Sequence, residues 1–487
     1  MKKYLFFSLP FLLFIFLFHF PAPPWPDAIV YDSVARDFLN TGIFRYAIWG
    51  AYDSTYLHAN FNNGPLYPFI HILFLKVFGS TDSRLLLTFN YLLAVLTFAN
   101  ISRILKLSGE HLLLMVILVF NPVVYHYTNI VRPEWLGIFL LSCMWRVFAS
   151  YESKPPLRAY IFVSLLLALS ALNHQFSIFF VPCVFYAALK REETLCAGIG
   201  KCLLISFCTM LFLAPYLIYA QRHWGDFLFQ LFGNQITESA SGSIFTFVKS
   251  FVVPLFYPSI GVFTQTGIIP RWHADMLSLG LIACAFGLIL KWRKKFQLSS
   301  STKEAFFFWL FLNMGCAAVT YSPYVTVSFS VLAIAILKDA FPVVPRRLRT
   351  ILISVAIIGI GSQVVFYSEV TRKLFQWKDY QKAVECLANE LPRGADVYVM
   401  AYPDPSVELS NRRNDLGVKR YIDFAKYGSA WEVIVAKNDH FIVSDDAYNL
   451  NRFDYGNALR NGIGRGEFRE VKCKQGNVGY TLFERRK

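Results

Sequence analysis

"PAPPWPDAIVYDSVARDF" occupies residues 21–38 and follows directly on the apolar run "YLFFSLPFLLFIFLFHF" of residues 4–20. A loop that merely crossed from one membrane span to the next would need no proline brake, no aspartate and no amphipathic helix. Pro21, Pro23, Pro24 and Pro26 stop the first helix and leave the backbone extended, and Trp25 suits the level of the lipid headgroups. From Asp27 onward, Asp27, Tyr31, Ala35 and Phe38 share one side of a helix, while Asp32, Arg36 and Asn40 share another. The expectation is a helix lying in the membrane plane with a carboxylate held just above the lipid. An aspartate after proline is also a common helix N-cap, and this stretch alone does not separate the two roles.

The rest of the chain supplies the membrane. Of 487 residues, 55% are hydrophobic and only 16% charged, against about 25% charged in soluble domains. The apolar runs are Tyr4–Phe20, Leu85–Leu105, Leu112–Tyr127, Trp135–Ala149, Tyr160–Ala171, Phe176–Leu189, Cys202–Ala220, Met276–Trp292, Phe306–Thr320, Val325–Leu337 and Ile351–Tyr367. The longer ones cross a hydrocarbon core of roughly 30 Å at 1.5 Å per residue, and the shorter ones reach that length with flanking residues. The fold class is therefore an all-α polytopic membrane protein of about eleven helices. Met1-Lys2-Lys3 before an apolar run also describes a secretory signal peptide, but "FHFPAPPWP" offers no A-x-A cleavage site, so a retained first helix is expected.

The net charge of +15 is a topology signal. Of the 47 Lys and Arg, 20 follow residue 370; of the others, 19 fall at one set of loop ends and 8 at the opposite set. The richer set includes "KWRKK" at 291–295, "KR" at 190–191 and "RRLR" at 346–349. The positive-inside rule places it in the cytoplasm, with the N-terminus inside and the C-terminus outside. Nucleic acid is excluded as a partner on this placement. Two large segments then face outward, residues 21–84 and about 221–275. The stretch "IFTFVKSFVVPLFYPSIGVF" holds Lys249 and Pro254 and reads as re-entrant or surface-lying.

Near Thr371 the composition changes. Residues 1–370 form the membrane domain, and residues 371–487 a small outward-facing α/β domain. In it "DYQKAVECLANELPRGADVYVM" reads as helix, turn and strand, and "HFIVSDDAY" and "VGYTLFERR" as further strands. Seven of the nine cysteines fall in spans or at cytoplasmic ends. Cys386 and Cys473 alone lie in the outward domain, and two thiols in an oxidising compartment suggest a disulfide.

"PDAIVYDSVARDFLNTGIF" followed by "NNGPLYPFIHILFLKVFGS" resembles the first outward loop of the type C glycosyltransferase superfamily. That group comprises multi-span enzymes using polyprenyl-phosphate sugars, lipid A aminoarabinose transferase and protein O-mannosyltransferases among them. The matching residues are Asp27, Tyr31, Ala35 and Gly42, then Gly64-Pro65-Leu66-Tyr67-Pro68 opening a second in-plane helix that ends near Gly79. The family also places an acidic residue in its second outward loop, here "NPVVYHYTNIVRPEWLG", where Glu134 matches. Two features depart from the pattern. A Glu-Lys pair precedes the double proline in the aminoarabinose transferase, where this chain has "FNNGP". A basic residue often precedes the tyrosine that opens a late span, where Ser322 and Pro323 precede Tyr324.

The resemblance implies transfer of a sugar from a polyprenyl-phosphate donor to a lipid, glycan or protein acceptor. It implies an integral protein of the bacterial cytoplasmic (inner) membrane, working at the periplasmic face and surrounded by membrane lipids. Such transfer needs a base for the acceptor's proton and cations for the leaving phosphate. Asp27 is the candidate base. Glu134 is the candidate to orient the acceptor or a metal, against capping "EWLGIFLL". Arg132 is the nearest basic partner for phosphate, against a plain headgroup-level arginine. Tyr31, His58 and Tyr324 complete the candidate substrate contacts. No cofactor is called for, and a divalent metal stays an option; His58, His174 and His223 face outward with no metal-site spacing. A secondary transporter would show charge at midspan and repeated halves, which are lacking here. A non-catalytic scaffold of surface-polysaccharide assembly differs in one testable respect: it would tolerate Asp27→Asn.

Overall fold

In the computed structural model, the described residues are 28–45, 59, 61, 64–79, 83–107, 109, 132–228, 230, 297–318, 323–347, 349–350, 354, 377–401, 404–420, 440–444, 464–476 and 478–486. The helical part begins with α1 (Ala28–Thr41), α2 (Leu66–Phe78) and α3 (Ser83–Ile104), then α4 (Glu134–Ala149) and α5 (Leu157–Asn173). A 3-10 turn, Gln175–Phe179, runs into α6 (Phe180–Leu189), followed by α7 (Leu195–Arg222), α8 (Trp224–Leu228), α9 (Ser300–Ala318) and α10 (Pro323–Ala340). α5, α7 and α10 extend past both ends of the runs Tyr160–Ala171, Cys202–Ala220 and Val325–Leu337. The expected runs Tyr4–Phe20, Leu112–Tyr127 and Met276–Trp292 lie outside the described residues, as do the stretch 244–263 and, apart from residue 354, Ile351–Tyr367.

Two helices among the described residues are long and apolar enough to cross a membrane by length and composition: Leu85–Ile104 within α3, and α7. Their surroundings differ. The α3 span is mostly buried inside the protein, whereas α7 is mostly exposed, with Leu203, Phe207, Leu211 and Ile218 turned outward. At 28 residues, α7 is roughly 42 Å long. Thr194 starts it by accepting the Ala197 N–H at 3.2 Å. α2 is amphipathic in a different sense. Phe69, Leu73 and Val77 form an exposed apolar stripe, while Tyr67, His71 and Ile72 are buried. Gly79, at φ 67°, closes α2 by giving its N–H to Leu75 O at 2.9 Å.

One buried cluster joins these elements, including Tyr31, Tyr67, Phe98, Trp135, Phe180 and Tyr324. Gly64, just ahead of α2, lies so close to the carbonyl of Leu172 that a Cβ there would collide with it. This close approach is why the motif opening α2 begins with glycine.

The C-terminal part contains α11 (Trp377–Glu390), β1 (Asp396–Met400), α12 (Ser406–Arg412), β2 (Gly417–Arg420), β3 (His440–Ser444), β4 (Phe468–Gln475) and β5 (Val478–Arg485). The strands form one sheet in the order β2-β1-β3-β5-β4. β1 is parallel to β2 and β3, while β5 is antiparallel to β3 and β4. Tyr380, Val384, Leu387, Val397, Tyr480 and Leu482 fill its core. A disulfide joins Cys386 on α11 to Cys473 on β4, with Cα atoms 5.6 Å apart. Helix α11 and strands β1, β3 and β5 stand where the sequence reads them. β2 ("GVKR") and β4 ("FREVKCKQ") were not read from sequence. Both lie at sheet edges, where charged side chains are common and the apolar alternation weakens.

Candidate active site

The first turn of α4 is the centre of the site. Pro133 holds the N-cap position and offers no side-chain cap, and Glu134 is the first helical residue, so Glu134 does not cap the helix. Its carboxylate is 2% exposed and pairs with Arg132, Nε to Oε1 2.8 Å, whose side chain is 26% exposed. The partial positive charge of the helix N-terminus favours a carboxylate at this point. Asn173, the last residue of α5, fixes the turn from the other side: its Nδ2 donates to Pro133 O at 2.8 Å.

Two tyrosines, Tyr67 and Tyr324, belong to the same buried cluster as Trp135 and Leu136 of α4. The Tyr67 hydroxyl donates to Asn90 Oδ1 at 3.2 Å, and its ring meets Tyr31 edge-on at 5.0 Å. Tyr324 comes in over Gly137. A Cβ at position 137 would stand 3.0 Å from the Tyr324 hydroxyl and 3.4 Å from Asn173 Nδ2, so glycine makes room for both. His174, between α5 and the 3-10 turn, accepts the Phe176 N–H through Nδ1 at 3.2 Å. Burial, and then the nearby Arg132 charge, push it down to about 3, so it is a neutral acceptor at ordinary pH.

Of the candidate residues, Arg132 and Glu134 are in direct contact, and Tyr31 and Tyr324 belong to one buried cluster. Asp27 and His58 lie outside the described residues; Asp27 directly precedes α1 in the chain. His223 is elsewhere, in an aromatic group with Tyr219 at 5.1 Å and Phe61 at 6.4 Å. Gln230 pins the same segment, donating to Ala59 O at 2.8 Å and accepting from Phe61 N at 2.7 Å.

Several residues of the neighbourhood were missed from sequence. Asp32, which shares a side of α1 with Arg36 and Asn40, is fully buried, paired with Arg36 at 2.7 Å and 4.0 Å from Nδ1 of the buried His71. The i,i+4 spacing of Asp32 and Arg36 is a readable pairing signal, but the burial is not. Asn90 was detectable as a polar residue within an apolar run, whereas Asn173 lies just past the end of one. Gly137 carried no signal beyond its type, while Tyr67 stands in the Gly64–Pro68 motif of the resemblance.

Beneath Tyr324 an apolar cleft runs between α4, α9 and α10 as far as Trp145, lined by Ile138, Leu141, Phe180, Leu312 and Val327 among others. Among the described residues no three His, Cys, Asp or Glu side chains come together to hold a metal.

The helical assembly with a small C-terminal sheet has the fold of two solved structures. The chain aligns with a crystal structure of ArnT from Cupriavidus metallidurans bound to undecaprenyl phosphate, over 98% of this chain and 97% of that one, with a TM-score of 0.57 and 13% identity. Against ArnT of the same organism in the apo state the coverage and identity are the same and the TM-score is 0.59. ArnT is the lipid A aminoarabinose transferase. No protein-family model matches the sequence, and no curated protein matches it.

Proposed function

We propose that this protein is a membrane glycosyltransferase that moves a sugar from a polyprenyl-phosphate donor to an acceptor. The observation that carries the proposal is the ArnT fold along nearly the whole chain, one of the two ArnT structures being bound to undecaprenyl phosphate. The pair of Arg132 and the buried Glu134 supplies a charged site on that fold. The apolar cleft below Tyr324 suits a donor with a hydrocarbon tail.

In this account the chain crosses the inner membrane about eleven times. α1 and α2 lie in the membrane plane, and residues 371–487 form the periplasmic domain. The acceptor nucleophile attacks the anomeric carbon, the bond from that carbon to the phosphate oxygen breaks, and polyprenyl phosphate leaves with the electron pair. Asp27 takes the acceptor's proton, so the anomeric centre inverts in a single displacement. Glu134 orients the acceptor. Arg132, the more exposed member of its pair, faces the leaving phosphate. Tyr31 and Tyr324 wall the substrates, and His58 is a further contact. Nothing in this scheme requires a metal.

Mass spectrometry of lipid extracts tests it. A strain lacking the gene should accumulate a polyprenyl-phosphate-linked sugar, and the gene should reverse this on a plasmid. Unchanged lipid-linked sugars would contradict the proposal.

A further inference from the structure

Helix α1 touches more than the membrane helices. Asn411 on α12 accepts a hydrogen bond through Oδ1 from Arg36 Nη2, and the same guanidinium pairs through Nε with the buried Asp32. Val407, one turn earlier on α12, is 2% exposed and belongs to the buried cluster that holds Tyr31, Tyr67, Trp135 and Tyr324. A helix of the C-terminal part therefore contributes a side chain to the core around the site.

α12 is itself held firmly. The Tyr380 hydroxyl bonds the Glu408 carboxylate and lies 2.9 Å from the Asp404 carbonyl. Asp404 Oδ1 accepts the Ser406 N–H at 2.8 Å. Tyr380 stands on α11, which the Cys386–Cys473 disulfide ties to β4. Mechanical connection thus runs from the sheet through α11 and α12 to Arg36 and Asp32 on α1.

We propose that the C-terminal domain is a working part of the transfer site: through α12 it clasps α1 and sets the position of Tyr31 and of the chain just before it, with Arg36 and Asn411 as positioning residues. This rests on the reading of α1 as a wall of that site. Arg36 has two tasks, since it offsets the charge of Asp32 and holds Asn411. Asn411 is on the surface, so removing its amide need not disturb the core. A reacting group displaced by about 1 Å loses rate on the order of 10²-fold, so even partial loosening of α1 is measurable.

The test uses the full-length protein in detergent or lipid. Asn411→Ala should lower kcat roughly tenfold, by displacement of the wall, with the KM for the lipid donor and the melting temperature unchanged. Asn411→Asp, which still accepts from Arg36, should restore near-normal kcat. Amide hydrogen exchange over residues 31–41 should rise severalfold in Asn411→Ala, a readout that needs no activity. The double variant with Arg36→Lys should be no slower than the slower single variant. Unchanged kcat together with unchanged exchange in Asn411→Ala would overturn the clasp. So would fully additive losses in the double variant. Asp27→Asn separates the two proposals. If it is inactive while Asn411→Ala is normal, the clasp fails and the transferase reading stands. If it is active, Asp27 is not the base, and the clasp is judged on Asn411→Ala alone.

Discussion

Two buried carboxylates stand near opposite ends of α4, and their surroundings differ. Glu304 is 3% exposed and is enclosed by Lys190 Nζ at 2.9 Å, Arg191 Nη1 at 3.1 Å and the Trp145 indole N–H at 2.6 Å. Arg191 is committed further, donating to Phe148 O at 2.6 Å and Ala187 O at 2.8 Å. This knot fastens the ends of α4, α6 and α9 together. Glu134 is as deeply buried, but it pairs with a near neighbour in sequence, the partly exposed Arg132. A carboxylate locked by two cations and an indole holds helices together. One whose cation is partly exposed can exchange that contact for a substrate's.

The largest effect on stability should come from Glu304→Gln. Removing that charge strands Lys190 and Arg191, and breaking a buried pair costs about 3–5 kcal/mol. Thermal unfolding and yield should fall sharply, while turnover per folded molecule stays near normal. Glu134→Gln should do the reverse: transfer should drop about 10–100-fold, the scale of a positioning or proton-handling group, with a smaller loss of melting temperature. If Glu134→Gln failed to fold while a well-folded Glu304→Gln lost activity, the comparison would be broken.

A milder change sharpens it. Gly137→Ala places a methyl 3.0 Å from the Tyr324 hydroxyl, so that ring must shift. Steady-state kinetics should show a several-fold to roughly tenfold loss of kcat without a change in yield. Smallest is the pH effect of His174. Its folded pKa is about 3, against an ordinary value of about 6.5. The unfolded chain therefore takes up a proton first, and the stabilisation, full above pH about 6.5, is lost as pH falls toward 3. Between pH 7.5 and 5 the melting temperature of the wild type should drop more than that of His174→Asn, which keeps an acceptor but cannot be charged. Equal drops would remove His174 from the acid response.

Much of this architecture is legible in the sequence, because long apolar runs leave few alternatives to helices and Gly79 marks where α2 stops. α11 shows through its 3.6-residue period, and the disulfide through the isolation of two cysteines. What escapes is whatever depends on contact between distant segments. The burial of Asp32 shows only once His71 and Arg36 close around it. Gly137 reads as an ordinary span glycine until Tyr324 arrives from nearly 190 residues away. β2 and β4 carry edge-strand charges that hide their period, and nothing in "SVELSNR" announces a helix that packs on α1.

The central claim is sugar transfer from a lipid phosphate with Asp27 as base, and one measurement reaches it directly. A chromosomal Asp27→Asn substitution keeps the shape and capping capacity of the residue and removes its basicity. With the protein at its normal level in the membrane, quantitative mass spectrometry of lipid extracts should show a polyprenyl-phosphate-linked sugar accumulating as in the null strain. Wild-type levels of that lipid in the substituted strain would contradict the assignment and leave the aspartate as a helix cap.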